Sequence, residues 1–302
     1  MKSRLDDFSE SRLFAALMEN TADSIYFKDR ACKLIKVSRK MAEDLGYSDP
    51  AQLTGKTDVE LFGREFGERT RVDDMRVMES GEAIVGMVEC NENAAGVKNW
   101  TSTTKLPLRD ADGTIIGLLG ITREINDLKQ REMDLQFIAT HDLLTSLPNR
   151  YLFFDRMEQS INRAKRYDYK LGVIYIDLDN FKSINDQYGH AFGDQILANV
   201  GDLLQKHIRE SDTVARIGGD EFVVLVENIA NTQEIIALVK RMLADFSGHW
   251  SESMPDIRVT ASIGVSIYPK DGVKAAQLVK AADDAMYEAK KKRNTYKIHV
   301  TG

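Results

Sequence analysis

The sequence predicts an α+β protein with two domains joined by a helix, and three observations support this class. The length of 302 residues allows about two domains. Short β-prone segments alternate with amphipathic segments in the first part of the chain. The second part contains a nearly continuous apolar run, at 171–176, that is typical of a buried strand. We place the domains at 1–124 and 142–302, with a helical linker at 125–141.

The composition is that of an ordinary globular protein, with 43% hydrophobic and 29% charged residues. The formal net charge of -6 argues against a nucleic acid or an anionic membrane surface as the main partner. The first ten residues are charged, and no apolar run approaches the roughly 18 residues of a membrane helix. Cys32 and Cys90 lack metal-type spacing. Reduced thiols in a cytoplasmic protein fit best, although one disulfide stays open.

The first domain is predicted to contain an initial helix, a hairpin, further helices and three strands. In order, the segments are helix 11–20, strands 24–28 and 33–37, helix 39–45, an irregular stretch at 50–62, helix 65–80, and strands 83–89, 97–107 and 114–122. Ser38 is placed to cap the helix at 39–45, and Gly46 and Gly81 are placed to end the helices before them.

The second domain is predicted as a central, mostly antiparallel sheet covered by helices. In order, the segments are helix 150–167, strand 171–176, helices 181–187 and 195–209, strands 213–217 and 222–226, helix 232–246, strand 258–267, helix 274–292 and strand 296–300.

A glycine-rich polar turn joins two of these strands. Residues 216–222 read Arg-Ile-Gly-Gly-Asp-Glu-Phe, and Gly-Gly is a favoured pair in hairpin turns. Glycines allow a phosphate to approach the backbone, and carboxylates hold Mg²⁺. Taken alone, the turn is more simply interpreted as a polar hairpin without chemistry.

A second group of carboxylates changes that interpretation. The buried strand runs into Asp177-Leu178-Asp179, and the two aspartates share one face of an extended chain. If this strand lies beside the hairpin, Asp177 meets Asp220 at one metal cluster. Hard cations with oxygen ligands and a triphosphate are the usual contents of such a site.

Six motifs follow one another in the second domain. They are His141–Arg150 (HDLLTSLPNR), Asp177–Asp186 (DLDNFKSIND), Gly189–Asp194 (GHAFGD), the glycine-rich hairpin, Ala261–Val265 (ASIGV) and Ala281–Lys290 (AADDAMYEAK). In this order and at this spacing, they make the chain from about Asp142 onward resemble the GGDEF-domain diguanylate cyclases. The resemblance covers roughly half of the chain and implies the palm-like fold of that family.

The resemblance implies that two GTP molecules are condensed into cyclic di-GMP with release of two pyrophosphates. By motif position, Asp177 and Asp220 bind Mg²⁺ or Mn²⁺ together with the carbonyl oxygen of Leu178. Asp220 is also the favoured proton acceptor, and Glu221 can share the base or metal role. Lys182 is placed to stabilise phosphate charge, the alternative being a solvated lysine at a helix start.

Guanine and phosphate need separate contacts. A carboxylate accepts hydrogen bonds from guanine N1–H and the exocyclic amine, and an amide donates one and accepts one. Asp194 and Asn185 occupy the family positions for this recognition. His190 matches a further substrate-contact position, although a lone histidine there is also a common helix-start residue.

The glycines of the turn and the end of the last helix are the candidate phosphate contacts. Gly218 and Gly219 leave the backbone accessible, and Lys290 and Arg293 carry positive charge that equally suits a helix dipole. The basic run at 290–294 is one residue shorter than the common family spacing. Which of the lysines at 290–292 points inward therefore stays open.

Arg209 and Asp212 form an Arg-x-x-Asp pair nine and six residues before Gly218. At this offset, the resemblance implies an inhibitory site that binds the guanines and phosphates of cyclic di-GMP. The alternative is a solvated helix end. We expect the pair on an outer face, away from Asp177 and Asp220.

The first domain resembles a PAS sensor domain over about residues 11–125. The resemblance rests on Asn20–Ile25, the Asp112-Gly113 turn and Gly120–Ile125. None of the five histidines precedes His141, which argues against a histidine-ligated haem, and the Asn-Cys-Arg-Phe motif of photosensing flavin domains is absent. A small-molecule signal is compatible with the domain, but the sequence does not name it. Trp100 could stack on such a ligand or pack against the protein.

The predicted linker helix has a heptad spacing, with Ile121, Leu128 and Leu135 seven residues apart. A helix packed on its own domain is the alternative, but we favour a dimeric linker, because a shared helix pair carries a signal symmetrically to two cyclase domains. The sequence therefore predicts a homodimeric, PAS-regulated diguanylate cyclase. The alternative is an inactive GGDEF domain that acts as a GTP or cyclic di-GMP receptor. The intact Asp177, Asp220 and Glu221 argue against it.

Overall fold

A computed structural model describes residues 8–92, 98–246 and 258–300, and the chain forms two compact units that divide after Met133. The helices of the first unit are α1 (Glu10–Asn20), α2 (Arg39–Asp44), α3 (Asp58–Phe62) and α4 (Arg64–Ser80), with a 3-10 turn at Pro50–Leu53. Its strands are β1 (Ser24–Asp29), β2 (Leu34–Val37), β3 (Ile84–Glu92), β4 (Lys98–Arg109) and β5 (Ile115–Glu124). The predicted strand at 97–107 starts at Val97, which lies outside the described residues.

The five strands form one antiparallel sheet in the order β2-β1-β5-β4-β3. Local sequence signals account for the helix ends beside it. The Ser38 side chain accepts a hydrogen bond from the Met41 backbone N–H and caps α2. Gly81 adopts the left-handed conformation (φ 71°) that ends α4. The predicted antiparallel sheet domain is confirmed.

Helix α5 (Asn126–Thr140) continues from β5 and coincides with the predicted linker. None of its residues is buried. Leu128 is 62% and Leu135 67% exposed, so the heptad positions of this helix face solvent in the single chain. Among the described residues, no helix combines the length and the apolar character needed to cross a membrane.

The second unit contains five helices and five strands among the described residues. They are α6 (Arg150–Tyr167), β6 (Lys170–Leu178), α7 (Phe181–Tyr188), α8 (His190–His207), β7 (Thr213–Arg216), β8 (Glu221–Ile229), α9 (Thr232–Phe246), β9 (Ala261–Tyr268), α10 (Ala275–Lys290) and β10 (Thr295–Ile298). The sheet order is β10-β9-β6-β8-β7, antiparallel except for the parallel pair of β9 and β10.

Both faces of this sheet are covered. Ile176 and Phe222 belong to a core cluster that includes α7, α8 and α9, whereas Tyr175 and Val223 belong to one that includes α6 and α10. The central strand β6 is therefore buried on both sides, as its nearly continuous apolar sequence predicts.

The predicted helix at 195–209 is wrong at both ends. Helix α8 starts at His190, directly after Gly189 (φ 84°), and ends at His207, so Arg209 lies in the following turn. A glycine inside a helical pattern normally weakens the helix. Here Gly193 is buried in the first turns of α8, packed against α7.

Candidate active site

Cross-strand pairing brings the predicted carboxylates to one edge of the central sheet. Asp177 near the end of β6 lies opposite Glu221 at the start of β8. The Leu178 N–H donates to the backbone carbonyl of Asp220 over 3.3 Å, and the Ile217 N–H donates to the carbonyl of Glu221 over 3.1 Å, which closes the hairpin. The structure thus places Asp177, Asp220 and Glu221 around one corner, as the sequence predicted.

The Asp177 carboxylate is only half satisfied. Its side chain is 6% exposed, and one oxygen, Oδ2, lies 2.7 Å from the Lys290 Nζ. The other oxygen, Oδ1, is buried without a hydrogen-bond partner. Burial raises the pKa of Asp177 above its usual value; Lys290 opposes this, whereas the negative charge of Asp220 adds to it. A buried, unpaired carboxylate oxygen is costly unless it binds something.

These donors fit a hard cation, since carboxylate and carbonyl oxygens are what Mg²⁺ and Mn²⁺ prefer. Among residues 8–92, 98–246 and 258–300, no group of three or more His, Cys, Asp or Glu side chains is arranged to hold a metal ion. Two carboxylates and a backbone carbonyl are compatible with Mg²⁺, which usually keeps several positions for water or substrate phosphate.

The two glycines of the turn have different surroundings. A Cβ on Gly218 would collide with the Oε2 of Glu221, so this glycine makes room for the glutamate side chain. A Cβ on Gly219 would meet no atom within 4 Å. Burial, and next the negative charge of Glu221, raise the pKa of the buried Tyr175 phenol. Gly219 is therefore the position of the turn that leaves open space beside the backbone.

An arginine clamp fixes the shape of the turn. The Arg216 guanidinium donates to the Gly219 carbonyl from Nε (3.0 Å) and Nη2 (2.7 Å), and its Nη1 contacts Asp142 Oδ1 at 3.0 Å. Asp142 also accepts hydrogen bonds from the backbone and hydroxyl of Thr145. Burial opposes ionisation, but the hydrogen bonds from Thr145 and Arg216 outweigh it and hold the pKa of Asp142 below its usual value. Through Asp142, the HDLLTSLPNR motif thus helps to hold Arg216 and the shape of the turn.

The candidate guanine-reading residues come together at the α7–α8 junction. Asn185 is on α7, and His190 and Asp194 are exposed in the first turns of α8. The Asn185 Oδ1 is buried without a hydrogen-bond partner, and a Cβ on Gly193 would occupy its position. Gly193 therefore makes room for an amide with an unused acceptor. Lys182 is exposed on α7.

The end of α10 shows which lysine points inward. Lys290 faces Asp177, whereas Lys291 pairs with Glu288 at 2.6 Å and lies over the Tyr287 ring. Arg293 is exposed in the turn after α10 and has a left-handed backbone (φ 58°). Lys290 is thus the residue directed at the carboxylate cluster.

Asp179 does not join Asp177 at the cluster, although the sequence placed both on one face. It lies just beyond the end of β6, is 3% exposed, and accepts hydrogen bonds from Thr260, Ser262 and the Asn294 backbone N–H. The sequence motifs indicate no role for Asp179. Its spacing from Asp177 marked the position, but the donors come from segments more than 80 residues away.

The Arg-x-x-Asp pair forms a turn between α8 and β7. Asp212 is buried; it accepts hydrogen bonds from the Arg209 N–H and from the Glu227 N–H of β8. The Arg209 side chain is 69% exposed and contacts Glu234 of α9 at 3.1 Å. The two side chains therefore differ: only the arginine is presented to solvent, and the aspartate supports the fold.

The first unit contains a cavity of about 720 Å³ between the inner face of its sheet and its helices. Four charged side chains meet beside this cavity. Lys28 contacts Asp58 and Asp74, and Lys105 contacts Asp74, all at 2.6 Å. Burial opposes the charge of Lys28, but both carboxylates keep its pKa above the ordinary value. Asp58 and Lys105 also line the cavity. Because buried ion pairs contribute little net stability, stability alone does not account for this network. The cavity beside it is therefore a candidate ligand site.

Trp100 is not among the residues that line this cavity. Its backbone N–H donates to Asn126 Oδ1 at 2.6 Å, its carbonyl accepts from the Ile125 N–H, and Lys129 lies over its ring. Of the two interpretations offered by the sequence, packing is the one observed. Trp100 joins β4 to the start of α5.

Comparison with known proteins agrees with both halves of this description. The family model described as "Diguanylate cyclase, GGDEF domain" matches residues 139–295, and a PAS fold model matches residues 18–130. The sheet, the hairpin and its carboxylates thus define a nucleotide cyclase-type domain. The chain belongs to the GGDEF family of diguanylate cyclases and carries a PAS-fold domain before the GGDEF domain.

Individual relatives show the same resemblance. A diguanylate cyclase of Vibrio cholerae is 31% identical over 79% of this chain and 74% of its own length. The bifunctional diguanylate cyclase/cyclic di-GMP phosphodiesterase MucR of Pseudomonas aeruginosa is 42% identical over 56% of this chain. The crystal structure of the TpbB GGDEF domain from the same organism matches 52% of this chain and 99% of its own, with 36% identity and a TM-score of 0.51. The chain spans only 25% of the full-length MucR and 38% of the full-length TpbB.

The Asp142 clamp generates a pH-dependent prediction. A carboxyl with a lowered folded-state pKa contributes stability above its unfolded value of 3.8, and this contribution disappears as the pH falls through the folded value. We expect Asp142→Asn to be less stable than wild type at pH 7 in urea unfolding, and the difference to shrink steadily below pH 3.8. Asp155 is an exposed carboxyl on α6 that lines the same surface pocket as Asp142 and Arg216. Asp155→Asn is therefore the control and should show no such difference. A difference in stability that does not change with pH would contradict a stabilising role of the ionised Asp142 carboxylate.

Proposed function

We propose that this chain is a diguanylate cyclase that condenses two GTP molecules into cyclic di-GMP and two pyrophosphates. The observation that carries the proposal is the buried, unpartnered Oδ1 of Asp177, opposite Glu221 and beside Asp220 in a GGDEF-family hairpin. A carboxylate oxygen kept without a partner at that corner favours a bound cation over a purely structural role.

Asp177, Asp220 and the Leu178 carbonyl would hold Mg²⁺ or Mn²⁺. When bound, the metal supplies positive charge that polarises the phosphate oxygens of GTP. Lys290 and Arg293 bind phosphate from the end of α10, Lys182 does so from α7, and Gly219 leaves room for it. Asp220 accepts the proton of the attacking 3′-hydroxyl, and Glu221 stays beneath the turn, where Gly218 makes room for it.

Guanine is recognised at the α7–α8 junction. The unused Oδ1 of Asn185 accepts from guanine, and the exposed Asp194 carboxylate accepts from N1–H and the exocyclic amine. Adenine lacks this arrangement of donors, so ATP would leave both groups unpaired. His190 lies one turn before Asp194 on the same helix and adds a substrate contact.

The active form is a homodimer, because one domain binds one GTP and the reaction joins two. The exposed Leu128 and Leu135 of α5 supply a heptad seam for a second copy. A small molecule in the PAS cavity regulates the dimer through Trp100, which connects the sheet of that domain to α5.

The first test of this proposal is Asp220→Ala. We expect purified wild type with Mg²⁺ and GTP to form cyclic di-GMP, and the variant to form none, because it loses a metal ligand and the proton acceptor. Asp284→Ala, an exposed carboxylate on α10, is the matched control and should retain full activity. Chromatography of the nucleotide products measures both. Product formation by Asp220→Ala would refute the metal and base assignment, and nucleotide binding without turnover in wild type would support the receptor alternative.

The second test concerns base selection. Asp194→Ala removes a charge-assisted hydrogen bond worth roughly 1.5–3 kcal/mol, so kcat/KM for GTP should fall by about ten- to a hundredfold. Since the side chain is exposed, thermal stability should hardly change. Steady-state kinetics with GTP and ATP, together with a melting curve, provide the comparison. If kcat/KM is unchanged for both nucleotides, guanine is recognised elsewhere.

The third test concerns product feedback. Arg209 contacts Asp212 through its backbone alone: its N–H donates to the Asp212 carboxylate and its carbonyl accepts from the Asp212 N–H. Arg209→Ala therefore removes the exposed guanidinium and leaves the turn intact. We expect the initial rate to stay nearly unchanged and inhibition by added cyclic di-GMP to weaken, because the guanidinium can fork onto guanine or phosphate. Asp212→Ala is unsuitable, since it also frees the Glu227 N–H. Superimposable inhibition curves for Arg209→Ala and wild type would mean that the product does not bind at Arg209 and that this turn is purely structural.

A further inference from the structure

Asp179 is a buried carboxylate, and the residues that donate hydrogen bonds to it all lie much later in the sequence. Oδ2 accepts from the Thr260 hydroxyl at 2.7 Å and from the Asn294 backbone N–H at 2.9 Å. Oδ1 accepts from the Ser262 hydroxyl at 2.7 Å, and the Asp179 N–H donates to the Thr260 carbonyl. The charge is thus stabilised by three directed donors, which fix the position of the carboxylate.

The segment that Asp179 holds is the turn between α10 and β10. The N–H groups of Lys292 and Arg293 still bond to the Ala289 carbonyl, but Arg293 (φ 58°) and Asn294 (φ 44°) have left-handed backbones. Two consecutive residues of this kind, neither of them glycine, are unfavourable without an external restraint. The hydrogen bond from the Asn294 N–H to Asp179 is such a restraint.

The short segment 177–179 therefore contacts two positions at the C-terminal end of α10. Asp177 contacts Lys290 in the last turn of α10, and Asp179 contacts Asn294 just beyond it. Arg293 lies between these two contacts, exposed to solvent. Its direction relative to the carboxylate cluster is set by how the turn is held.

We propose that Asp179 is a positioning residue that holds the α10–β10 turn so that Arg293 can reach the phosphates of a nucleotide bound at Asp177 and Asp220. The inference rests on the proposed function for the presence of that nucleotide. Asp179 does not itself touch the substrate; it acts through Arg293.

A matched control lies at the opposite end of the same strands. Asp271 has a fully buried side chain, accepts from the Ile267 N–H at 2.8 Å and contacts His299 at 3.2 Å. It ties β9 to the segment after β10, as Asp179 ties β9 to the segment before it. Its removal should cost stability without any effect on phosphate binding.

The experiment is calorimetric titration of the full chain with a non-hydrolysable GTP analogue and Mg²⁺. We expect Asp179→Ala to weaken the analogue affinity by about tenfold or more, since a charge-assisted phosphate contact is lost. Asp179→Asn should restore most of the affinity, because an amide oxygen still accepts from Asn294 and its NH₂ can donate to Ser262. In an Arg293→Ala background, Asp179→Ala should cause no further loss. Asp271→Ala should lower the melting temperature and leave the affinity unchanged.

The outcomes separate the inference from the proposed function. If wild type does not bind the analogue, the proposed function fails. If wild type binds and Asp179→Ala binds equally well, or if Asp271→Ala weakens binding to the same extent, the positioning role is overturned. Should Asp179→Ala not fold, the double variant Thr260→Val/Ser262→Ala removes two of the three donors that fix the carboxylate, and unchanged affinity in that variant also overturns the positioning role.

Discussion

The pairing of β6 with β8 is the constraint on which the site depends. Both faces of the sheet are buried, so a slip of one residue would move every side chain of β6 into the opposite core and turn Asp177 toward the other cluster. Ile176 opposite Phe222 and Tyr175 opposite Val223 fix the register on the two faces. The hydrophobic cores thus determine that Asp177 lies opposite Glu221, and the functional geometry follows from apolar packing.

Neighbouring carboxylates in this domain have different surroundings and hence different uses. Asp142 is satisfied by Thr145 and Arg216 and shapes the turn, and Asp179 is satisfied by three donors and holds the α10–β10 segment. Asp177 keeps one buried oxygen free. Asp142 and Asp179 accept enough hydrogen bonds to act as structural carboxylates, whereas Asp177 keeps one oxygen available for a cation. The sequence around these residues looks alike and does not reveal this difference.

In the PAS domain, too, buried polar groups are paired with one another. Four charged residues beside its cavity satisfy one another, and two of them, Asp58 and Lys105, line the cavity. An ion network of this kind is sensitive to any ligand that competes for one of its members, because a buried charge that loses its partner is destabilised. Trp100 links this sheet to the start of α5 through its backbone hydrogen bonds with Asn126 and Ile125.

The two-domain α+β organisation and most of the elements could be predicted from the sequence, because hydrophobic periodicity, helix caps and turn residues are local signals. The family motifs also predicted site positions at Asp177, Asp220, Asn185 and Asp194. Tertiary structure alone decided that Lys290 is the inward lysine, that Gly218 makes room for Glu221, and that Asp212 and Asp179 are structural acceptors. It also decided that α8 begins at His190. In each case the partner lies on another element or in another turn, and only the packed fold specifies which groups meet.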